Sequence, residues 1–265
     1  FVLDKFMTYK QWATISIKMI KKNTANSGLL GFIEKLLRII PHVYLIFRPL
    51  IKFTNFFEED FFYLKKIFKN KKINIIDIGA SDGISALFFI RNLKPKKIYC
   101  YEPQKIFYRK LINLKKKYKF LKLFNYGLGN KISNETVYYP FVKIFNKKFV
   151  LFAYSFPVKK ELEKQINLDF LIKPKIYQDK ITIKKFKIPK DKINLIKIDT
   201  NGSELEVITS IMPLLKRDKP VLIIENNNIN KIYKKVKFLK YKKFYVDSNT
   251  LKKHKSQNNV NIIFK

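Results

Sequence analysis

Two acids and two glycines lie close together at the end of an apolar run. Residues 73–78 are rich in isoleucine, which is typical of a strand buried on both faces of a parallel sheet. The acids are Asp77 and Asp82, and the glycines are Gly79 and Gly83. Glycine lets the backbone turn tightly and approach a ligand closely. Because an amphipathic segment follows, the pattern predicts a strand, a ligand-binding turn and a helix in that order.

Two classes of cofactor compete for such a turn. A dinucleotide fingerprint needs G-x-G-x-x-G to bind a pyrophosphate, whereas this chain has D-x-G-x-x-x-G and lacks the middle glycine. Asp77 and Asp82 would repel a pyrophosphate but suit a cation, such as S-adenosylmethionine with its amino group and sulfonium. The alternative is a glycine turn without a ligand, as in any α/β protein. The candidate cofactor-binding residues of the turn are Asp77, Gly79, Ala80, Ser81, Asp82 and Gly83.

Another acid follows the next predicted strand. Residues 97–101 form that strand and lead directly into Glu102. Glu102 comes about twenty residues after the glycine turn, as expected when one helix intervenes. An acid at this place can accept hydrogen bonds from the ribose hydroxyls of a nucleoside. Alternatively, Glu102 is a solvated acid that caps the helix predicted to begin near Gln104.

The third predicted strand, residues 120–124, leads into the sequence N-Y-G-L-G-N. In a methyl-donor fold this turn would contact the adenine base. Tyr126 could stack on the base and Asn125 could bond its edge, so both are candidate cofactor-binding residues. A glycine-rich turn into a hairpin explains the same residues, and the sequence leaves both interpretations open.

A later stretch repeats the order of strand, acid, glycine turn and helix. Residues 193–198 predict a strand, and Asp199 follows it. Asn201-Gly202 alone would indicate a hairpin turn. Ser203 and Glu206, however, have the spacing of a capping box, and helical periodicity follows them. We therefore predict a helix after this turn.

The remaining elements are predicted from periodicity and turn residues. Helices are predicted at 55–69, 85–93, 104–117, 159–171 and 230–240. Further strands are predicted at 135–143, 181–183, 220–226, 243–246 and 260–264, with residues 252–259 as the loop of the last hairpin. Residues 131–180 interrupt the alternation of strand and helix, so we expect them to contribute to substrate recognition.

The chain carries a formal charge of +36, from 56 Lys and Arg against 20 Asp and Glu. Lys, Asn, Ile, Phe and Tyr are abundant together, which is the bias that AT-rich codons produce. Basic charge favours nucleic acid or anionic lipid as a partner. Only five of the basic residues are Arg, which disfavours dedicated recognition of phosphates or bases.

Cysteine and histidine are scarce in this chain. Cys100 is the only cysteine, so no disulfide can form within the chain, which fits a reducing compartment. His42 and His254 are the only histidines and lie far apart in sequence. We therefore expect neither a zinc site nor a Ser-His-Asp triad, and predict no metal ligands.

Four motifs resemble those of the FkbM family of S-adenosylmethionine-dependent methyltransferases. They are residues 77–83, 101–103, 196–204 and 223–226. The third motif is the most specific, and the family usually has Asp-Val-Glu-Gly-Ala-Glu there. This chain has Asn201 in place of the acid before the glycine, and Lys184 in place of an acid near the preceding strand. These departures make a catalytically inactive, ligand-binding homologue one alternative.

The resemblance implies an α/β fold with a doubly wound, Rossmann-like class I methyltransferase sheet and a reversed final hairpin. We assign this domain to residues 55–265, preceded by an N-terminal helical extension at 1–54. The implied reaction is methylation, with S-adenosylmethionine as cofactor, of a hydroxyl on a glycan, a lipid-linked glycan or a related metabolite. Asp199 and Glu204 are the candidate catalytic residues, because a carboxylate can take the hydroxyl proton.

A nucleic-acid methyltransferase is the other enzymatic alternative, because it would suit the basic charge. Methylation of base amino groups typically uses an Asn/Asp-Pro-Pro-Tyr motif after the fourth strand, and cytosine C5 methylation uses a Pro-Cys pair. Residues 199–202 read Asp-Thr-Asn-Gly instead, and no Pro-Cys pair occurs in the chain. The sequence therefore disfavours nucleic acid as the acceptor.

Residues 29–53 are strongly apolar but are interrupted by charged residues and by Pro41. They lack the uninterrupted apolar length of a transmembrane helix. The preferred interpretation is helices packed on the catalytic domain. The alternative is a basic amphipathic element on a membrane surface. We accordingly expect a cytoplasmic protein, with peripheral contact at the inner face of the membrane as the alternative.

Overall fold

The computed structural model describes residues 59–144, 147–150, 155–169, 173–225, 229–247, 250–253 and 261–265. These residues belong to two compact units. One contains Tyr138–Tyr177, and the other consists of Asn55–Val137 and Gln178–Lys265. The predicted N-terminal extension, including residues 29–53, lies outside the described residues.

The order of elements alternates strand and helix over much of the chain. The helices are α1 (Glu59–Ile67), α2 (Ile84–Asn92), α3 (Lys105–Lys117), α4 (Lys159–Asp169), α5 (Glu204–Ser210), α6 (Met212–Asp218) and α7 (Ile229–Val236), followed by a 3₁₀ turn at Lys237–Leu239. The strands are β1 (Lys72–Ile78), β2 (Lys94–Tyr101), β3 (Leu121–Phe124), β4 (Gly127–Leu128), β5 (Ser133–Ile144), β6 (Lys147–Val150), β7 (Lys175–Lys184), β8 (Leu195–Ile198), β9 (Val221–Glu225), β10 (Lys243–Asp247), β11 (Thr250–Lys252) and β12 (Asn261–Phe264).

The larger sheet has the strand order β11-β10-β12-β9-β8-β1-β2-β3. Strands β1, β2, β3, β8 and β9 run parallel, whereas β12 is antiparallel to both β9 and β10. The chain moves outward from β1 through β2 to β3, and then returns to the other side of β1 as β8. Such a reversal opens a crevice at the carboxyl ends of the strands, where ligands bind. The predicted doubly wound sheet with a reversed final hairpin is confirmed.

Strand β1 lies at the centre because it buries side chains on both faces. Ile75 packs in an apolar cluster with Phe88 of α2, and the next residue, Ile76, packs in another cluster with Ile208 of α5. This alternation follows from the period of two along a strand. The central strand therefore fixes the position of the turn that follows Ile78.

The smaller sheet has the order β4-β7-β5-β6, and it changes one prediction. Gly127 in β4 pairs in parallel with Ile183 in β7, so the hairpin interpretation of the turn after β3 is wrong. A Cβ on Gly127 would lie 2.7 Å from Ile183 Cδ1, so glycine permits this close pairing. At the end of the chain, the predicted loop 252–259 begins one residue early, because Lys252 pairs with Tyr245 as the last residue of β11.

The unit that contains Tyr138–Tyr177 has its own small core. Strands β5 and β6 pair antiparallel, and Tyr138 forms a two-way backbone bridge with Phe156. Helix α4 places Leu162 and Ile166 against Tyr138, Phe156 and Ile176. The predicted strand at 135–143 and the predicted helix beginning at 159 are thus confirmed.

Candidate functional site

The turn after β1 is held in place by neighbouring backbone. Gly79 has φ +74°, and its N–H and that of Ala80 donate to the Tyr101 carbonyl at 3.0 and 3.1 Å. A Cβ on Gly79 would lie only 1.8 Å from the Asp199 carbonyl oxygen. Gly83, with φ +85°, is the N-cap residue of α2. The two glycines are therefore required by backbone conformation, and Gly79 also by the close approach of two turns.

Glu102 connects this turn to the start of α3. The carboxylate is buried, with Oε2 accepting from the Ser81 N–H and Oε1 from the Gln104 N–H, both at 2.8 Å. It thus binds the N-cap residue of α3, but as a buried acid and not as the solvated acid of the alternative interpretation, and it also lies beside the glycine turn. Burial raises the pKa of Glu102 to about 7, although the two backbone hydrogen bonds act in the opposite direction.

Asp77, the last acid before the turn, is fully buried. Ser85 Oγ donates to its Oδ2 at 2.6 Å. Its other oxygen, Oδ1, lies 3.6 Å from Lys197 Nζ and accepts no hydrogen bond from any described residue. Burial raises the pKa of Asp77, and the positive charge of Lys197 only partly offsets this. A buried carboxylate oxygen without a donor favours a donor or a positive charge beside it.

Lys197 lies beneath the site, and the sequence analysis gave it no role. Its ammonium donates to the Gly79 carbonyl at 2.8 Å and lies 3.1 Å from Asp199 Oδ2. Burial by itself lowers the pKa of Lys197, but the negative charges of Asp199 and Asp77 raise it above the ordinary value. The ammonium therefore stays charged and ties the turn after β1 to the turn after β8. The only sequence signal was a lone lysine inside an apolar strand.

Asp199 and Glu225 lie side by side at the carboxyl edge of the sheet. Ile198 in β8 pairs with Ile224 in β9, so the residues that follow, Asp199 and Glu225, end neighbouring parallel strands. The side chain of Asp199 lies within interaction distance of the Glu225 carboxyl and helps to raise its pKa. Burial raises the pKa of Glu225 to about 8, with further contributions from the negative charges of Asp199 and Glu204. Glu225 lies within the fourth FkbM-like motif, residues 223–226, but the sequence alone assigned it no role in the site.

Glu204 closes the turn that follows Asp199. This fully buried carboxylate accepts three hydrogen bonds at Oε1, from the Thr200 N–H at 3.0 Å, the Thr200 hydroxyl at 3.1 Å and the Gly202 N–H at 3.0 Å. The other oxygen, Oε2, has no hydrogen-bond partner among the described residues. Glu204 thus fixes the conformation of the turn that carries Asp199.

The predicted capping box at this turn is wrong. Ser203 does occupy the N-cap position of α5, but its side chain makes no capping hydrogen bond within the described part of the chain. Glu206, the expected partner, is exposed. Glu204 folds back over the turn and satisfies the backbone N–H groups of Thr200 and Gly202, so the turn is closed by the residue after the N-cap.

Asn125 connects the loop after β3 to the loop after β2 by hydrogen bonds. Its side-chain amide donates to the Glu102 carbonyl at 2.9 Å and to the Pro103 carbonyl at 3.1 Å. The donors of this amide are therefore used within the protein. A contact between Asn125 and an adenine edge stays a prediction.

Tyr126 lies half-buried in an aromatic cluster next to this loop. Its ring meets Tyr101 at 5.7 Å and Phe124 at 5.8 Å, both edge-on, and burial raises the pKa of its hydroxyl. Lys184 Nζ lies 5.1 Å from the centre of the Tyr126 ring. The lysine that replaces a family acid thus makes a cation–π contact. Stacking of Tyr126 on an adenine stays a prediction.

The residues predicted for the site all lie in the unit formed by Asn55–Val137 and Gln178–Lys265. The candidate cofactor-binding residues lie at the carboxyl end of β1 or directly after β1, β2 and β3, and they are Asp77, Gly79, Ala80, Ser81, Asp82, Gly83, Glu102, Asn125 and Tyr126. Asp199 and Glu204 follow β8. Among the described ranges, no group of three or more His, Cys, Asp or Glu residues could hold a metal ion.

The FkbM methyltransferase domain matches residues 77–243 of this chain. The chain belongs to the FkbM methyltransferase family. The match begins at the acid before the glycine turn, and it includes Glu102, Asp199 and Glu225. This FkbM domain is a methyltransferase domain with a class I sheet, and its cofactor is S-adenosylmethionine.

Several solved structures are similar to this FkbM domain. A methyltransferase FkbM from Methylobacillus flagellatus KT has 16% identity and a TM-score of 0.48. The match covers 73% of this chain but only 44% of that protein. An S-adenosylmethionine-dependent O-methyltransferase from Thermotoga maritima has 10% identity and a TM-score of 0.41. The match covers 79% of this chain and 64% of that protein. Fibrillarin from Aeropyrum pernix, bound to S-adenosyl-L-methionine, has 9% identity and a TM-score of 0.38. The match covers 72% of this chain and 65% of that protein. No curated protein matches the chain.

Proposed function

We propose that this protein transfers a methyl group to a hydroxyl of a glycan, a lipid-linked glycan or a related metabolite. The observation that carries the proposal is the pair of neighbouring carboxyl groups on Asp199 and Glu225, beside an acid-lined turn of methyl-donor type. Carboxylates accept hydrogen bonds from hydroxyl groups and can take their protons. Glu204, which holds the turn that carries Asp199, is proposed as a positioning residue.

The residues after β1 and β2 fit a ligand that carries both a positive charge and hydroxyl groups. Asp77 Oδ1 is buried without a hydrogen-bond donor among the described residues, so it suits a cationic group. Each Glu102 oxygen accepts one backbone N–H and keeps a second lone pair for a ribose hydroxyl. When bound, S-adenosylmethionine would supply an activated methyl group on a positively charged sulfur.

The affinity for S-adenosylhomocysteine is expected to fall as the pH falls below 7. The pKa of Glu102 is raised to about 7, so its carboxyl gains a proton in the free protein below that pH. A proton on Glu102 competes with the backbone N–H groups and ribose hydroxyls that the ionised form accepts. We expect the affinity to drop by about fivefold between pH 7 and pH 6 in calorimetric titrations. The amino group of the ligand stays protonated over this range.

The matched variant for this prediction is Glu102→Gln. Glutamine cannot lose a proton, and its amide nitrogen cannot accept from the Ser81 or Gln104 N–H. The variant should therefore bind more weakly, with an affinity that stays constant between pH 6 and pH 7. If wild-type affinity did not change over this interval, or if the variant kept the wild-type dependence, Glu102 would not be the group responsible.

The charge around the acceptor side favours a neutral hydroxyl compound over a nucleic acid. Asp199, Glu204 and Glu225 lie close enough for their charges to interact, and Lys197 is the cation that faces them in the described residues. A phosphodiester brought next to these carboxylates would be repelled. The basic surface of the chain acts through non-specific attraction and has no bearing on this local chemistry.

A transfer assay with a tritiated methyl group tests the acceptor class. Purified protein is incubated with glycans, with lipid-linked glycans in vesicles, and with RNA and DNA. We expect label in a hydroxyl acceptor, and about a hundredfold slower transfer by Asp199→Asn. Glu206→Gln, a change at an exposed glutamate on α5, is the matched control and should keep the wild-type rate.

Each other outcome of this assay has a defined meaning. Label in RNA or DNA and in no hydroxyl acceptor would replace the proposal by a nucleic-acid methyltransferase. Binding of the cofactor without any product would favour the inactive homologue that Asn201 and Lys184 raised as an alternative. An unchanged rate in Asp199→Asn would remove Asp199 from its proposed role.

Membrane contact through residues 29–53 stays a prediction, since these residues lie outside the described part of the chain. No helix among the described residues is long and apolar enough to cross a membrane. Salt-sensitive sedimentation with anionic vesicles, lost on removal of residues 1–53, would support peripheral contact. Absence of sedimentation by the full chain would refute it.

A further inference from the structure

The carboxyl groups of Asp199 and Glu225 are neighbours at the carboxyl ends of β8 and β9. Two carboxyl groups can share a hydrogen bond only when one of them is protonated, because an ionised carboxylate has no donor. The register of β8 and β9 forces the two groups together, with Ile198 opposite Ile224 immediately before them. The pair is therefore built to hold one proton.

The surrounding charges determine which of the two residues holds that proton. Lys197 Nζ is 3.1 Å from Asp199 Oδ2, so the negative charge is most stable on Asp199. Glu225 is the more buried partner and faces the negative charges of Asp199 and Glu204, with Lys197 as the opposing cation. On its other side, Glu225 pairs along the sheet with Asn261, whose N–H donates to Asp60 of α1. Glu225 accordingly carries the proton, and the Asp199 carboxylate accepts a hydrogen bond from the Glu225 carboxyl.

Asp199 also connects the pair to solvent. Its side chain is 43% exposed, whereas that of Lys197 beneath it is 6% exposed. A proton that reaches the pair can therefore leave through Asp199. The buried lysine keeps Asp199 oriented without exposing the base of the site to water.

We propose that Asp199 and Glu225 act together as the proton acceptor of the reaction, with Glu225 as a second catalytic residue. This inference rests on the proposed function. As the acceptor oxygen forms its bond to the methyl carbon, the methyl–sulfur bond breaks and its electron pair stays on sulfur. The hydroxyl proton moves to the ionised pair, which then holds one shared proton, and the proton afterwards leaves to solvent through Asp199.

The pair has two properties that a merely structural hydrogen bond would not need. Its active form is the one that has lost the shared proton, so the rate of transfer should rise with pH as Glu225 loses its proton. The pKa of Glu225 is also raised, chiefly by burial and then by the negative charge of Asp199. A base of this kind is better matched to proton transfer near neutral pH.

The first readout is independent of turnover. Carbon-13 NMR of carboxyl-labelled glutamate follows the titration of Glu225, which is assigned by the signal that disappears in Glu225→Gln. We expect this signal to titrate at a clearly higher pH than the exposed glutamates, and to move to lower pH in Asp199→Asn. Titration together with the exposed glutamates, or no movement in Asp199→Asn, would overturn the shared proton.

The second readout is the pH profile of methyl transfer. Wild-type protein should gain activity as Glu225 loses its proton, and Glu225→Gln should lose that rise and be about tenfold to a hundredfold slower. Glu206→Gln, at an exposed glutamate of α5, is the matched control and should keep the wild-type profile. A wild-type profile in Glu225→Gln would overturn the proposal.

Binding of S-adenosylhomocysteine separates this inference from the proposed function. Failure of the folded wild-type protein to bind would contradict the methyl-donor site, whatever the state of the pair. Wild-type and Glu225→Gln proteins that bind equally and share one pH profile would refute the pair and leave the donor site intact. Binding retained by Glu225→Gln together with the loss of the pH-dependent rise is the result we expect.

Discussion

Replacing Lys197 by Met is expected to lower the free energy of unfolding by about 3–5 kcal/mol, the usual cost of removing one partner from buried charges. Lys197 is the cation that faces both Asp77 and Asp199, and it also donates to the Gly79 carbonyl. Methionine has a similar length and no charge, so the loss comes from the unpaired carboxylates and not from a cavity. Urea denaturation of the two proteins at pH 7.5 measures the difference.

The pH dependence identifies the cause of this loss. Burial already raises the pKa of Asp77, so the folded state binds protons more readily than the unfolded state, and acid favours folding at this residue. In Lys197→Met the destabilisation should therefore shrink as the pH falls, because a protonated Asp77 needs no cation. Lys96→Met, at an exposed lysine of β2, is the matched control and should change stability by about 0.5 kcal/mol or less. Equal effects of the two substitutions would contradict the role of Lys197.

Gly79→Ala is expected to destabilise the protein by at least about 2 kcal/mol and to weaken cofactor binding. The added Cβ would lie 1.8 Å from the Asp199 carbonyl oxygen, so one of the two turns must move. The positive φ of 74° adds backbone strain for any residue with a Cβ. Because the displaced turn carries Asp199 and contacts Lys197, the effect should reach both sides of the site.

Gly202→Ala is the matched control for this prediction. Gly202 also has a positive φ, of 107°, but a Cβ there would meet nothing within 4 Å. This variant should show the backbone strain alone, about 1 kcal/mol, with little change in the affinity for S-adenosylhomocysteine. The comparison is made by denaturation and calorimetry on both variants. Equal losses at the two positions would show that the contact with Asp199 has no energetic importance.

The donor side of the site could be predicted because its signals are local in sequence. An apolar strand followed by an acid and a glycine, as at Asp77 and Gly79, predicts both the turn and its place at the carboxyl edge. Glu102 could be placed at the same edge because parallel strands joined by a helix end on the same side. The doubly wound order of the strands was implied by the resemblance to the FkbM family, to which the turn at Asp199 contributes the most specific motif.

The contacts within the site could not be predicted, because they join residues distant in sequence. Nothing near Lys197 indicates that it meets the Gly79 carbonyl, and Glu225 becomes a partner of Asp199 only through the register of β8 and β9. The capping box was wrong for a similar reason. Ser203 and Glu206 have the right spacing, but Glu204 closes the turn instead, by accepting from the N–H groups of Thr200 and Gly202. The spacing of residues in the sequence identifies candidate hydrogen-bond partners, and the packing of the folded chain decides which of them form.

Strands of two or three residues also could not be predicted from the sequence. Strand β4 is too short to show a period of two, and its pairing with β7 depends on the small size of Gly127 beside Ile183. Strand β11 is an edge strand whose half-exposed Leu251 gives a weak pattern. Periodicity needs several residues to be visible, so these elements could be found only from the sheet.

The most direct test of the central claim is calorimetric titration of the wild-type chain with S-adenosylhomocysteine at pH 7.5. The account places a methyl-donor site at the turn after β1, with Glu102 and Asp77 as its carboxylates. It predicts saturable binding of one ligand per chain, strongly weakened by Glu102→Ala in a protein that remains folded. Absence of binding by the folded wild-type chain, or undiminished binding by Glu102→Ala, would contradict it.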